Sequence, residues 1–146
     1  MALLKYTTSI AAEKTVAQIQ QLLAKAGAKR VMQEFDEDGR VKAVSFQLEL
    51  DGQPLAFTLP TDWRPVLQIL NNDPKVPNAY KNNDQAVRVA WRITLAWVEA
   101  QLAIIETKMV KTEQVFLPYM VTNNGKTVYE QLRDNPGRLL GGGDNV

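Results

Sequence analysis

The 146-residue chain predicts an α+β fold: an N-terminal helix, a three-stranded antiparallel meander, a long central helix and short C-terminal helices. Three observations predict it. From Asp84 to Lys108 apolar residues recur every three or four positions over about seven turns, the mark of one long helix. Two strong turn dipeptides, Asp38-Gly39 and Asp51-Gly52, separate three runs of alternating apolar and polar residues, which reads as two successive hairpins. Neither an internal repeat nor a linker interrupts the chain, so residues 1–134 are read as a single domain and residues 135–146 as a flexible tail.

Taken in order, Met1 to Ile10 is compatible with an arm or a short strand. A first helix is expected from Ala12 to Ala26, with Val16, Ile19, Leu22, Leu23 and Ala26 on one face and Gly27 just past its end, where positive φ is needed. Strands are expected over Arg30–Asp36, Val41–Leu50 and Pro54–Leu59. Their dry face carries Val44, Phe46, Leu48, Leu50, Leu55, Phe57 and Leu59. Pro60 closes the sheet, and Thr61 or Asp62 caps a short helix with Trp63, Val66, Leu67 and Leu70. The amide-rich stretch Asn71 to Asp84 then reads as the longest loop.

The central helix would be roughly 36 Å long. One face holds Val87, Trp91, Leu95, Val98, Leu102 and Ile105, and the adjacent face Ala86, Ala90, Ile93, Trp97, Ala100 and Ile104. Only Arg88, Arg92, Glu99 and Glu106 stay polar, bordered by Thr94 and Gln101. Such a helix is covered on most of its circumference, and Trp91 and Trp97 are read as core. Asp84 is the expected N-cap, with Lys108 and Lys111 near the C-terminus. Arg88, Arg92 and Glu99 fall within any window of twenty, so a membrane span is not expected. Thr112-Glu113 starts a short helix with Val115, Phe116 and Leu117. The Asn123-Asn124-Gly125 turn leads to a last one with Val128, Tyr129 and Leu132.

Composition narrows the chemistry. There are no cysteines and no histidines, so thiol catalysis, disulfides, a Ser-His-Asp triad and His- or Cys-bound zinc are outside the chain's own repertoire. The 17 basic and 16 acidic residues give a net charge of +1, unlike a strongly basic nucleic-acid binder. MALLKYTTSIAAEK lacks a sustained apolar segment and reads as mature sequence, so residence in the cytoplasm is expected. No cofactor is expected.

Few motifs point to a site. Gly125-Lys126-Thr127 matches only the end of a P-loop, and Asp36-Glu37-Asp38 could bind a hard cation but reads first as turn chemistry. The better candidate is an anion or phosphate site at the start of the long helix, made by Tyr80, Lys81, Arg88 and Arg92. Arg88 and Arg92 are about one turn apart and point the same way, and backbone N–H groups at the helix N-terminus attract anions. The plainer alternative is that both arginines line the solvated stripe, or that Arg88 pairs with Asp84 at i,i+4 spacing.

Helix, three antiparallel strands, helix is also similar, in topology only, to double-stranded RNA-binding domains. That family carries a basic N-terminus on its second helix; here the stretch offers Arg88 and Arg92 without a lysine cluster. A likeness covering more of the chain lies in the blocks YTTSIAAEK, DQAVRVAWRITLAWVEAQ, EQVFLPYM and GKTVYEQL, between about residues 5 and 140. They resemble a small family of proteins of tailed phages and prophages. The resemblance implies a phage or mobile-element origin and expression inside a bacterial host, with no activity to transfer.

Three functions follow as expectations. The first is a non-catalytic phage-type accessory protein that docks to a host or phage protein or to nucleic acid, with a homo-oligomer possible. The second is a sequestering protein for a nucleotide or other small anionic ligand. The third is a metal-assisted enzyme using carboxylates, for which no assembled set of roles is visible.

Overall fold

The computed structural model describes residues 2–139. The fold is α+β: α1 (Ala12–Lys25), β1 (Arg30–Phe35), β2 (Val41–Leu50), β3 (Gln53–Pro60), α2 (Arg64–Asn72), α3 (Asn83–Glu106), α4 (Thr112–Phe116), α5 (Val128–Asp134) and α6 (Pro136–Leu139). Short 3-10 turns occupy Asn78–Tyr80 and Leu117–Tyr119. Residues 140–146, most of the expected tail, lie outside the described residues; Pro136–Leu139 is a helical turn.

Local chemistry accounts for the element ends. α1 stops where Gly27 takes φ +107°, a conformation that strains any residue with a Cβ. Asp51 and Gly52 both take positive φ, and Leu50 pairs with Gln53 across them, as a two-residue type I′ hairpin requires. At the other hairpin Asp36 Oδ1 accepts from the N–H groups of Asp38 (2.8 Å) and Arg40 (3.0 Å), so the acidic run is turn chemistry.

The sheet has the order β1-β2-β3, antiparallel throughout. α1 and α3 cover one face of it. Their buried side chains, Val16, Ile19 and Leu23 from α1 and Val87, Trp91, Leu95 and Val98 from α3, meet Val44 and Phe46 of β2 and Phe57 and Leu59 of β3. Burying each such aliphatic or aromatic side chain contributes about 1.5–3 kcal/mol. Phe46 stacks on Phe57 at 5.2 Å, and Phe116 of α4 closes on both edge-on. The opposite face is polar where Ser45 bonds Glu34 (2.9 Å) and Thr58 (2.9 Å), one tie across all three strands.

Three expectations need correction. The α3 N-cap is Asn82, whose Oδ1 accepts from Gln85 N–H at 2.8 Å; Asp84 lies inside the first turn. The stretch from Asn71 is not one long loop, because α2 runs to Asn72, a 3-10 turn forms at Asn78–Tyr80 and Val76 is buried. Leu50, expected on the dry face, is 37% exposed, since β2 outruns the helices that cover its middle. Among the described residues the N-terminal segment, residues 2–10, is an arm with turns and no strand. Among the described residues no helix is long and apolar enough to cross a membrane.

Candidate functional site

The N-terminal turn of α3 is built around a residue that charge counting passes over. Gln85 is 3% exposed, and its amide nitrogen donates to the carbonyls of Tyr6 (2.8 Å) and Thr8 (2.9 Å). Its amide oxygen accepts from Arg88 Nε (3.0 Å) and Nη2 (2.8 Å). One side chain thus pins the N-terminal arm and orients an arginine. The sequence held a signal for it: Asn82-x-x-Gln85 has the spacing of a capping box, although here the glutamine turns to the arm instead of back to the cap.

The four candidate residues sit as follows. Tyr80 packs edge-on against Tyr6 of the arm at 5.7 Å. Lys81 closes the 3-10 turn with its N–H on the Asn78 carbonyl (3.0 Å). Arg88 is half-buried on Gln85, while Arg92 reaches α1, where Nη1 donates to Gln18 Oε1 (2.8 Å) and Thr15 Oγ1 (3.4 Å). Tyr80 therefore meets the arm, Arg88 is tied to it only through Gln85, and Arg92 bridges the seam between α1 and α3. The i,i+4 pair of Asp84 with Arg88 does not form, because Asp84 faces Arg40 of the β1–β2 turn instead (3.4 Å). Among the described residues neither Arg88 nor Arg92 has a carboxylate within ion-pair distance, so both charges are met by neutral oxygens.

Beside them the β1–β2 turn reaches the start of α3 through Arg40. Arg40 lies between Asp38 (3.3 Å) and Asp84 (3.4 Å) and over the Trp63 ring at 5.4 Å. The Arg40 charge at this corner is thus taken up by two carboxylates. The carboxylates do not converge further: among the described residues no three Asp, Glu, His or Cys side chains group as a metal site. Lys126 of the partial P-loop motif pairs with Asp134 (2.7 Å), and Thr127 caps α5.

The two edges of the sheet differ. At β3, Val121 N–H donates to the Ala56 carbonyl (2.8 Å) and Met120 bridges Phe57, so that edge is partly closed, with Pro54 and Pro60 near its ends. At β1 no main-chain hydrogen bond reaches the outer edge among the described residues. Met32 is 59% and Phe35 56% exposed there. A concavity of about 590 Å³ beside it on the polar face is lined by strand residues alone, Arg30, Met32, Ser45, Gln47 and Ala56 among them. The exposed methionine and phenylalanine were not singled out from sequence, because a three-stranded meander makes both outer strands edges and nothing local says which of the two stays uncovered. Compared with protein-family models, curated proteins and solved structures, the chain finds no match.

Proposed function

We propose that this chain is a non-catalytic accessory protein of tailed-phage type that acts in the bacterial cytoplasm by docking to another protein. The observation that carries the reading is the open edge of β1, a row of unpaired main-chain groups flanked by exposed Met32 and Phe35. An unprotected edge accepts a further strand, with main-chain bonds supplying affinity and side chains supplying selectivity. Protein is favoured over nucleic acid by the chain's near-neutral net charge of +1 and by Arg40, whose guanidinium beside the α3 start is already met by Asp38 and Asp84. The carboxylate-enzyme reading lacks converging acids among the described residues. The test is affinity capture with tagged wild-type protein and with tagged Met32→Lys from host lysate that also contains the untagged chain. A protein held by the wild type through high salt and lost by the variant is expected. Copurified material with nucleobase absorbance that salt removes would overturn the reading, as would equal capture by both proteins.

A second reading rests on one specific observation, the neutral partners of Arg88 and Arg92. Two guanidinium groups without carboxylates can take a small anion such as phosphate or a nucleotide, with Tyr80 and Lys81 at the border. Calorimetric titration with inorganic phosphate and with nucleotides tests it. Binding that is absent in wild type, or unchanged in the Arg88→Ala, Arg92→Ala double variant, removes it.

A further inference from the structure

We infer that the strand seated on the open edge of β1 is β1 of a second copy of this chain, joined about a two-fold axis through Met32 into one continuous six-stranded sheet. The inference rests on the docking reading of that edge and names its partner.

The geometry starts from the β2–β3 hairpin. Its turn closes on Leu50 and Gln53, and Lys42 accepts from Thr61 N–H (2.9 Å), so the even-numbered residues of β2 direct their main chain to β3. Ala43, Ser45 and Gln47 consequently face β1, opposite Glu34, Met32 and Arg30. Those three β1 residues are committed to β2. Val31 and Gln33 therefore present their N–H and C=O groups to the outside.

A two-fold axis perpendicular to the sheet keeps each face on its own side, so only residues of equal parity can stand opposite each other. With the axis at Met32, Val31 and Gln33 exchange main-chain bonds with Gln33 and Val31 of the second copy. The facing side chains on the polar side are then Met32 against Met32 and, on both flanks, Arg30 against Glu34. These are non-hydrogen-bonded pairs, where side chains approach most closely. The strand is complementary to itself in charge. Arg30 is exposed and has no ion-pair partner among the described residues, and Glu34 accepts only from Ser45. Opposite charges placed two positions either side of an exposed methionine suit an isologous contact, whereas like charges there would protect the edge.

The covered face permits the same approach. Gln20 of α1 reaches Gln33 at 3.1 Å, which places that flank of α1 above the β1 edge. Ala17 and Ala24, three residues before and four after Gln20, share the flank and are exposed. Short side chains there leave room for the second copy's α1.

Sedimentation velocity of the full chain over a concentration series tests the pairing, with circular dichroism to check folding. The wild type is expected to be a dimer. Arg30→Glu and Glu34→Arg each set like charges opposite at both symmetric positions and weaken association by more than about tenfold, and the double exchange restores it. Met32→Lys, at a 59% exposed position, brings two cations together on the axis and also yields monomer. A wild type that stays monomeric overturns the inference, as do single reversals that associate like wild type or a double exchange that fails to recover. Monomeric wild type whose captured partner is still lost in Met32→Lys removes the second copy and keeps the docking edge; capture unaffected by Met32→Lys removes both.

Discussion

Gln85 holds Arg88 in a two-pronged hydrogen bond, Nε at 3.0 Å and Nη2 at 2.8 Å, while the same amide reaches back to Tyr6 and Thr8 across more than seventy residues of sequence. The arginine expected to be half of an anion clamp is thereby tied into the anchor of the N-terminal arm. Its charge stays uncompensated and its position is set.

Gln85→Ala removes the donor for two arm carbonyls and the acceptor for Arg88. A loss of about 1–3 kcal/mol is expected, because buried partners are left unpaired. Hydrogen exchange should show the arm amides opening while those of β2 stay protected. Unchanged exchange in residues 2–10 would mean that the arm is held by the Tyr6–Tyr80 contact alone.

Trp91 is 1% exposed and its indole N–H donates to the Val41 carbonyl at 3.1 Å, joining α3 to the first residue of β2. Trp91→Ala should cost about 3–5 kcal/mol in urea unfolding through the cavity it leaves. Trp91→Phe keeps much of the volume and strands one carbonyl, for about 1–3 kcal/mol. Equal losses in the two variants would assign the whole effect to the hydrogen bond.

The strands and α1 were legible because their signals are local. Alternation and two Asp-Gly turns set β2 to the residue, and Gly27 set the end of α1. The dry faces of β2 and β3 followed from parity. What stayed hidden depends on partners distant in sequence. Asp84 has the right spacing for Arg88, yet Arg40, brought in by the β1–β2 turn, stands beside it in space. The apolar pattern of α3 runs on to Ile105, but α1 has 14 residues against its 24, so the last turns outrun their cover and Ile104 is 36% exposed. Of the candidate site, i,i+4 spacing put Arg88 and Arg92 within a turn of each other on α3 but not their separate partners, Gln85 for one and Gln18 for the other. The anchoring of the arm stayed hidden because the Asn82-x-x-Gln85 spacing predicts a glutamine turned back to its cap, not one bonded to carbonyls more than seventy residues away.

Arg92 crosses from α3 to Gln18 at 2.8 Å, so Arg92→Ala should loosen the α1–α3 seam by about 0.5–1.5 kcal/mol, the worth of an ordinary hydrogen bond. Replacing Arg88 as well should leave the circular dichroism spectrum unchanged. A spectrum that collapses in the double variant would make the pair a structural requirement, and any accompanying loss of anion binding would then be uninformative.

The last expectation concerns acid. Glu130 accepts from the Thr127 N–H (2.9 Å) while Thr127 Oγ1 accepts from Glu130 N–H (3.2 Å), a complete capping box at the start of α5. Hydrogen bonds from the Thr127 backbone and hydroxyl hold the Glu130 carboxyl below its ordinary range, and Asp134 is lowered first by its hydrogen bond from Lys126. Both folded-state values lie under their unfolded ones. Their contribution to α5 is therefore complete above the ordinary carboxylate range and is lost as pH falls through the depressed values. Amide signals of Val128–Asp134 should move and broaden in acid before those of the β2–β3 hairpin. Glu130→Gln can still complete the box but has no proton to gain, so in that variant the Glu130 share of the response disappears and the Asp134 share remains. An α5 that titrates identically in both proteins would place the acid sensitivity in the Lys126–Asp134 pair alone.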